Sequence, residues 1–150
     1  MILSQSLLLI QHPVAVWKLN LRYVMITAMN EKKRVLVVDD EPKIGNILRI
    51  KLKLHGYEVT TTTSGAEAIE IIKTQEPDIV LLDILMPDVT GMDVLEKVRN
   101  FSQVPVIVFT AMPDIVRFAM KLGANDSIAK PFDPDQVVNK IEMVLNNSRL

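Results

Sequence analysis

Acidic, hydroxyl and amine side chains follow the apolar runs of this 150-residue sequence. Asp39 and Asp40 form an acidic pair after the first run, and Asp83 stands alone after the central one. If the ends of these runs meet in the fold, the three carboxylates repel one another by roughly 4 kcal/mol per pair at an effective dielectric near 20. A divalent cation would offset that cost, and hard oxygen ligands favour Mg²⁺ or Mn²⁺ over zinc and copper. The sequence therefore predicts a magnesium site at these acids.

The same residues predict phosphoryl chemistry. With a cation bound, a carboxylate can attack phosphorus and form an acyl phosphate. Asp83 is the expected nucleophile because it stands alone, whereas the Asp39 and Asp40 pair suits the metal. Lys130 can pair with a phosphoryl oxygen, and the Thr110 hydroxyl can donate a hydrogen bond to another. Backbone N–H groups after Asp83 would complete the cradle.

The apolar runs themselves predict strands. Residues 35–38, 79–82 and 106–109 are continuous and mostly β-branched, which is typical of strands buried on both faces of a parallel sheet. Weaker candidates lie at 57–62 and 127–128. Helical patterns between them are long enough for the crossovers that parallel strands need. The sequence therefore predicts an α/β fold with a doubly wound, five-stranded parallel sheet, whose carboxyl ends gather the candidate site residues at one edge.

Further signals predict where the helices begin and end. Capping boxes are expected to open two of them, at Ser64 with Glu67 and at Thr90 with Asp93. Gly56 is expected to end the first crossover helix as a C-terminal cap. The inner face of that helix is predicted to carry Ile44, Ile47, Leu48 and Leu52.

Composition excludes several kinds of site. The chain has no cysteine and only two histidines, His12 and His55, which excludes disulfides, thiolate zinc sites and thiol catalysis. It has 17 basic and 18 acidic residues and a net charge of -1, which argues against direct binding of nucleic acid. Its length and its 49% hydrophobic content predict one packed domain.

Residues 1–30 differ from the rest of the chain. They carry Lys18 and Arg22 and no acid, a charge of +2, whereas residues 31–150 carry 15 basic and 18 acidic groups, a charge of -3. Polar residues interrupt their apolar stretches before the roughly 18 residues that a membrane span needs. Apolar and polar residues alternate at 17–23, which allows an extra strand. The favoured interpretation is a disordered leader, or a start codon placed too far upstream of Met25 or Met29.

Together these motifs resemble the receiver domain of two-component response regulators. The matching segments are VVDDE at 37–41, LDILMP at 82–87 with Gly91, TA at 110–111, GAND at 123–126 and KPF at 130–132. They occur in the family's order across about residues 33–146. The resemblance implies a flavodoxin-like receiver fold of strand order 2-1-3-4-5, with the receiver at residues 31–147 and a tail at 148–150.

The resemblance also implies a function. A histidine kinase or a histidine phosphotransfer protein would phosphorylate Asp83, and the altered surface would act on a downstream protein target in the cytoplasm, away from membranes and without direct contact with nucleic acid. The implied Mg²⁺ ligands are Asp40, Asp83 and the Leu85 backbone carbonyl directly, and Asp39 through water. Thr110 and Lys130 would contact the phosphoryl group. Because the chain ends soon after the last predicted helix, a stand-alone receiver is expected.

Two features depart from the family pattern. Ser127 stands where an aromatic residue is usual in the fifth strand, and that ring normally moves inward as the threonine closes on the phosphoryl group. The usual aromatic switch is therefore not expected here. The segment 110–123 is slightly short and contains Pro113, which predicts a short or displaced fourth crossover helix.

Two other functions fit parts of the pattern. A magnesium-dependent phosphatase with an aspartyl nucleophile typically has a second Asp two residues later as general acid, and Leu85 stands there. An FMN binder needs a Ser/Thr/Gly-rich phosphate loop where Asp39, Asp40 and Glu41 would repel the ligand. Each candidate residue also has an ordinary explanation as a turn, a cap or a surface charge. Because all the candidate residues are expected at one sheet edge, the pattern favours a phospho-accepting switch over an enzyme. Such a switch is expected to lose its own phosphate slowly.

Overall fold

The computed structural model describes residues 13–148. Contacts divide the chain into two units, Met1–Lys32 and Lys33–Leu150. Helix α1 (Pro13–Asn30) is the described element of the first unit, and the strands and remaining helices belong to the second. The boundaries of the leader, receiver and tail given above stay predictions.

Helix α1 lies in the segment for which the sequence predicts a disordered leader and allows a strand at 17–23. The alternating pattern there is short, whereas leucine, alanine and methionine in the same segment favour a helix, and Pro13 suits its first position. The strand alternative is therefore wrong, and the described part of the leader is helical. Six large apolar residues of α1 are exposed: Leu21, Tyr23, Val24, Met25, Ile26 and Met29. None of the described helices combines the length and hydropathy of a membrane span.

The second unit is built on a parallel sheet. Its strands are β1 (Arg34–Val38), β2 (Glu58–Thr62), β3 (Ile79–Asp83), β4 (Val106–Thr110) and β5 (Asp126–Ala129). They lie in the order β2-β1-β3-β4-β5, which confirms the predicted fold class and strand order. The two weakly predicted strands are the two sheet edges, and their incomplete burial explains the weak apolar signal.

Five helices cover the two faces of the sheet. They are α2 (Pro42–Leu54), α3 (Gly65–Gln75), α4 (Gly91–Arg99), α5 (Pro113–Lys121) and α6 (Pro134–Asn147). Side chains alternate between the two faces along each strand, and each face has its own apolar cluster. The cluster on one face packs against α3, α4 and α5, and the cluster on the other face packs against α2 and α6. Strands β3 and β4 are buried along their whole length because both of their faces meet helices.

The two predicted capping boxes differ in outcome. At the start of α4, Thr90 and Asp93 exchange both hydrogen bonds of the box, as predicted. At the start of α3, Ser64 Oγ accepts the Glu67 N–H at 3.2 Å, but the Glu67 carboxylate accepts the Thr62 hydroxyl instead of the Ser64 N–H. The Ser64 N–H donates to Thr62 Oγ1 at 3.1 Å. Half of this box is therefore wrong, because a threonine from β2 takes the reciprocal role.

For the first crossover helix, the predicted C-terminal cap is observed, but the predicted buried face is only partly observed. Gly56, just after α2, has a φ of 87°, the left-handed conformation expected of a glycine cap. Leu48 and Leu52 are buried, and Ile44 packs against the same cluster. Ile47 is 51% exposed, so its predicted place in the core is wrong. The buried residues recur every fourth position along one narrow stripe, and Ile47 falls outside it.

Helix α5 is the fourth crossover helix, which the sequence predicts to be short or displaced. It has nine residues and is, with α4, the shortest of the described helices. Pro113 stands at its start, where the missing N–H costs no helical hydrogen bond, so the proline opens the helix instead of interrupting it.

Candidate functional site

The parallel topology brings every predicted site residue to the carboxyl edge of the sheet. Asp39 and Asp40 directly follow β1, Asp83 ends β3, Thr110 ends β4, and Lys130 directly follows β5. Three of these polar residues are almost fully buried: Asp39, Asp83 and Thr110 are 2%, 3% and 3% exposed. Their burial away from the surface is costly unless each polar group has a partner.

The three acids form one cluster. Asp39, Asp40 and Asp83 each offer a carboxylate oxygen, and these oxygens lie within 4.8 Å of one another. Oxygens that share a Mg²⁺ ion at its usual bond length of about 2.1 Å are separated by roughly 3 to 4 Å. The donor set consists of hard oxygens at nearly that spacing, so the residues fit a magnesium ion. Asp40 is the most exposed of the three and leaves the cluster open to solvent on its side.

Lys130 is the cationic partner of this cluster. Its Nζ lies 2.9 Å from Asp39 Oδ2 and 3.3 Å from Asp83 Oδ2. Burial opposes the charge on Lys130, but the hydrogen bonds and charges of the two aspartates outweigh it and raise the pKa of the ammonium. Lys130 therefore stays protonated and compensates part of the repulsion between the acids.

The local environment disfavours charge on Asp83. Burial, and then the neighbouring Asp39 carboxylate, raise the pKa of Asp83 to about 6, against the opposing effects of Lys130 and a backbone hydrogen bond. That hydrogen bond is donated by the Leu85 N–H to Asp83 Oδ1 at 3.2 Å. The Glu41 N–H binds Asp39 Oδ1 in the same way at 2.9 Å. Backbone donors thus orient both buried carboxylates.

Thr110 reaches the same edge, but its hydroxyl is engaged with its own loop. Thr110 Oγ1 accepts the Met112 N–H at 2.9 Å and lies 3.4 Å from the Met112 carbonyl. The structure therefore brings Lys130 into contact with Asp39 and Asp83, with Asp40 in the same acidic cluster, whereas Thr110 ends the neighbouring strand with its hydroxyl turned to the start of α5.

The loop after Asp83 is held tightly. Ile84 and Met86 are buried, and the Gly91 N–H donates to the Ile84 carbonyl at 3.0 Å. A Cβ at Gly91 would lie 2.1 Å from the Asp83 carbonyl oxygen, so only glycine allows α4 to begin this close to β3. Leu85, whose backbone carbonyl is a predicted ligand, carries a half-exposed side chain at the mouth of the site.

For several neighbours of the site, the sequence predicts no role there. Met112 is 48% exposed two residues after Thr110, as Leu85 is two residues after Asp83. Phe109 stacks on Phe132 beside the Lys130 loop. The available signal is positional, because each of these residues lies within two positions of a predicted site residue.

The GAND segment has a structural role. Asn125 Oδ1 accepts the Val106 N–H at 2.9 Å and an Arg99 N–H at 3.2 Å. The Arg99 guanidinium also donates twice to the Gly123 carbonyl, at 3.1 and 2.8 Å, and burial lowers its pKa. Asp126 pairs with Lys140 on α6 at 2.8 Å. The segment therefore ties α4, β4 and α6 to the strand that leads to Lys130.

Comparison with known proteins identifies the family. The family model described as "Response regulator receiver domain" matches residues 35–142. The chain belongs to the response regulator receiver family. The predicted family is thereby confirmed, and receiver domains bind Mg²⁺ at an acidic pocket of the kind formed here by the three aspartates.

Curated relatives match about four-fifths of this chain and are longer than it. "Probable transcriptional regulator ycf27" of Guillardia theta is 38% identical over 122 residues, which are 80% of this chain and 48% of that protein. The protein of the same description from Cyanophora paradoxa is 39% identical over 119 residues, 78% of this chain and 50% of that one. The chain spans about half the length of the curated relatives it matches, and its action as a stand-alone receiver stays a prediction.

A solved structure is similar over the receiver. The response regulator receiver domain protein (CheY-like) from Methanospirillum hungatei JF-1 has a TM-score of 0.75 and 30% identity, covering 79% of this chain and 98% of that chain. A shared fold at this identity agrees with the order of the strands.

Proposed function

We propose that this receiver is a phospho-accepting signalling switch, in which Asp83 takes a phosphoryl group from a histidine kinase or a histidine phosphotransfer protein. An Asp83 oxygen forms a bond to phosphorus as the P–N bond of the phosphohistidine breaks, and the released imidazole takes up a proton. The contact of Lys130 Nζ with both Asp39 and Asp83, beside a third carboxylate, carries the proposal.

The acids have separate roles in this proposal. Asp40, Asp83 and the Leu85 backbone carbonyl would hold Mg²⁺, or Mn²⁺, directly, and Asp39 would contact it through water. The bound ion would lower the charge repulsion between the carboxylate and the incoming phosphoryl oxygens. Asp39 would also hold Lys130 close to Asp83 before phosphate arrives, which the 2.9 Å ion pair supports.

Lys130 and Thr110 would then respond to the new group. A phosphoryl group adds about -1.5 to -2 charge and three acceptor oxygens next to the Lys130 ammonium. Lys130 would pair with one oxygen, and the Thr110 hydroxyl would leave its Met112 contacts to donate to another. Thr110 ends β4 and Lys130 directly follows β5, each just before a loop that leads into a helix, so their movement would alter the surface offered to a downstream protein target in the cytoplasm.

A phosphatase is the second candidate, and Leu85 argues against it. A phosphomonoesterase has to protonate the leaving alcohol, and an apolar side chain stands where the general acid would act. Without this acid the reaction would end at the phosphorylated protein, which would lose its phosphate slowly. The near-neutral net charge supports a protein target over nucleic acid for this chain.

Phosphorylation by a small-molecule donor tests the proposal. The full chain is incubated with Mg²⁺ and phosphoramidate, and the intact mass is measured. One phosphoryl adduct is expected on the wild-type protein and none on Asp83→Asn. Asp88→Asn is the matched control, because Asp88 is exposed in the same loop and its positive φ of 63° suits asparagine. Multiple-turnover hydrolysis of a phosphomonoester, or an adduct that persists in Asp83→Asn, would overturn the proposal.

A further inference from the structure

We propose that Phe109 and Phe132 form an aromatic clamp that positions Lys130 for its contacts with Asp39 and Asp83. The two rings are stacked, with centroids 4.9 Å apart and planes 15° apart. The inference rests on the proposed function, in which Lys130 contacts the phosphoryl group. It assigns positioning roles to two phenylalanines that touch none of the reacting atoms.

One half of the clamp is fixed to the centre of the sheet. Phe109 is fully buried in β4, lies in register with Asp83 of β3, and directly precedes Thr110. Its carbonyl accepts the Ile84 N–H at 3.1 Å, so the backbone of Phe109 is bound to the loop that follows the proposed phosphorylation site. The Phe109 ring is therefore a rigid reference point beside Asp83.

The other half of the clamp holds the segment that carries Lys130. Phe132 lies two residues after Lys130, between β5 and α6, and packs against the apolar cluster that contains Phe109. The Lys130 N–H donates to the Thr110 carbonyl at 2.9 Å, which fixes the chain just before the loop. Stacking of Phe132 on Phe109 fixes the chain again two residues after Lys130. With its backbone held at both sides, the long Lys130 side chain has fewer positions available, and Nζ is kept near the acids.

The clamp occupies the face of the sheet opposite Thr110. Phe109 belongs to the cluster under α2 and α6, whereas Val108 belongs to the cluster under α3, α4 and α5. Ser127 pairs in register with Val108, and Thr110 alternates with Phe109, so both hydroxyl residues lie on that second face. Ser127 brings no ring to it. The Phe109 and Phe132 stack is then the aromatic contact that links β4 to the end of β5.

Ordinary core packing is the competing explanation. It predicts that loss of either ring lowers stability without any specific effect on Lys130. Positioning predicts an effect on phosphorylation that depends on the Lys130 ammonium. The two explanations are separated by choosing variants that stay folded and by repeating them without the ammonium.

The experiment measures the rate of phosphorylation by phosphoramidate at saturating Mg²⁺. Phe132→Leu removes one ring and keeps an apolar side chain, and the expected rate is roughly 10-fold lower, since small misplacements of a contacting group cost factors of about 10 to 100. Phe132→Tyr keeps the ring and is expected to react like the wild type. Tyr57→Leu is the matched control, because Tyr57 is a partly buried aromatic residue that packs on the same cluster. Thermal unfolding verifies that each variant is folded at the assay temperature.

The same substitutions are repeated in a Lys130→Met background, where Phe132→Leu is expected to cause no further loss. A second readout needs no phosphate: the NMR signal of the Lys130 ammonium in the unmodified protein is expected to shift in Phe132→Leu and not in Tyr57→Leu. The clamp would be overturned if folded Phe132→Leu showed an unchanged rate and an unchanged ammonium signal. It would also be overturned if Tyr57→Leu lowered the rate as much as Phe132→Leu, or if Phe132→Leu lowered the rate equally in the Lys130→Met background. If the wild type accepts no phosphate, the proposed function fails, and the ammonium signal alone decides the clamp.

Discussion

Lys130 Nζ lies 2.9 Å from Asp39 Oδ2, although 91 positions separate the two residues in the chain. The pair joins the end of β1, the first strand along the chain, to the loop after β5, and Asp83 at the end of β3 lies 3.3 Å from the same ammonium. Because Asp39 is buried, its charge needs this partner even before a metal or a phosphate is present. Lys130 thus compensates buried negative charge in the unmodified protein, and in the proposed function the same ammonium would meet the phosphoryl group.

Loss of the Lys130 ammonium is therefore expected to destabilise the metal-free protein. Lys130→Met leaves two buried carboxylates without their cation, and the free energy of unfolding should fall by about 2 to 4 kcal/mol in urea denaturation. Lys140→Met is the control, because it breaks the much more exposed pair with Asp126 and should cost under about 1 kcal/mol. Equal losses in both variants would show that Asp39 does not depend on Lys130.

The raised pKa of Asp83 predicts how stability changes with pH. Between about pH 4 and pH 6 the folded protein binds more protons at this site than the unfolded chain, so the stability contributed by protonated Asp83 is fully present below about pH 4 and is lost as the pH rises through about 6. The contribution is roughly 2 to 3 kcal/mol for a shift from 3.8 to about 6. Urea denaturation of the metal-free protein at several pH values measures it, with Asp83→Asn as the comparison. An identical pH profile in Asp83→Asn would remove Asp83 as the cause.

Asp40 should act mainly through the metal. Asp40→Ala is expected to weaken Mg²⁺ binding at least about 10-fold, because it removes a direct charged ligand, and to raise the stability of the metal-free protein by relieving repulsion. Calorimetric titration gives the affinity, and thermal unfolding without Mg²⁺ gives the stability. Glu41→Ala is the control, since Glu41 is the next acid along the chain and lies outside the cluster. An unchanged Mg²⁺ affinity in Asp40→Ala would refute its assignment as a ligand.

The sheet and the place of the site could be predicted because buried parallel strands have a distinctive sequence. The run at 79–82 is apolar throughout since β3 meets helices on both faces, and Asp83 ends the strand at the carboxyl edge of the sheet. Parallel topology then brings such strand ends together. Local spacing alone does not give the 2.9 Å contact of Lys130 with Asp39, which depends on strand order and on the course of the loop after β5.

The errors arise where one short-range pattern competes with another or is wider than the surface that is packed. The spacing of Ser64 and Glu67 is that of a full capping box, but the Thr62 hydroxyl competes for the glutamate. Ile47 has helical spacing with its neighbours, yet the stripe that packs on the sheet is narrower than the pattern suggests. In α1 the alternation of apolar and polar residues at 17–23 allows a strand beside the favoured disordered leader, and helix-favouring residues outweigh it.

Leu85 is expected to prolong the life of the phosphorylated form. Its side chain is 50% exposed two residues after Asp83, so in the proposed phosphorylated form it would place apolar atoms near the acyl phosphate and offer no group to orient or activate water. Leu85→Asn should shorten the lifetime of the phosphoryl adduct roughly 10-fold, and Leu85→Met should leave it nearly unchanged. Loss of the adduct is followed by intact mass after removal of the donor. Equal lifetimes in the three proteins would mean that water reaches phosphorus by another side.

Ser127 should limit how strongly phosphorylation changes the surface. Ser127 and Thr110 share one face of the sheet, and serine cannot fill the space that Thr110 leaves when its hydroxyl turns from Met112 to the phosphoryl group. The two states then differ little in packing near α5, and the coupling free energy should lie near the low end of the usual ~1 to 3 kcal/mol. Ser127→Tyr should widen the ratio of partner affinities with and without a beryllofluoride adduct, and Thr110→Ala should narrow it. If the wild-type ratio is already very large and Ser127→Tyr leaves it unchanged, the signal leaves the site by the Lys130 loop.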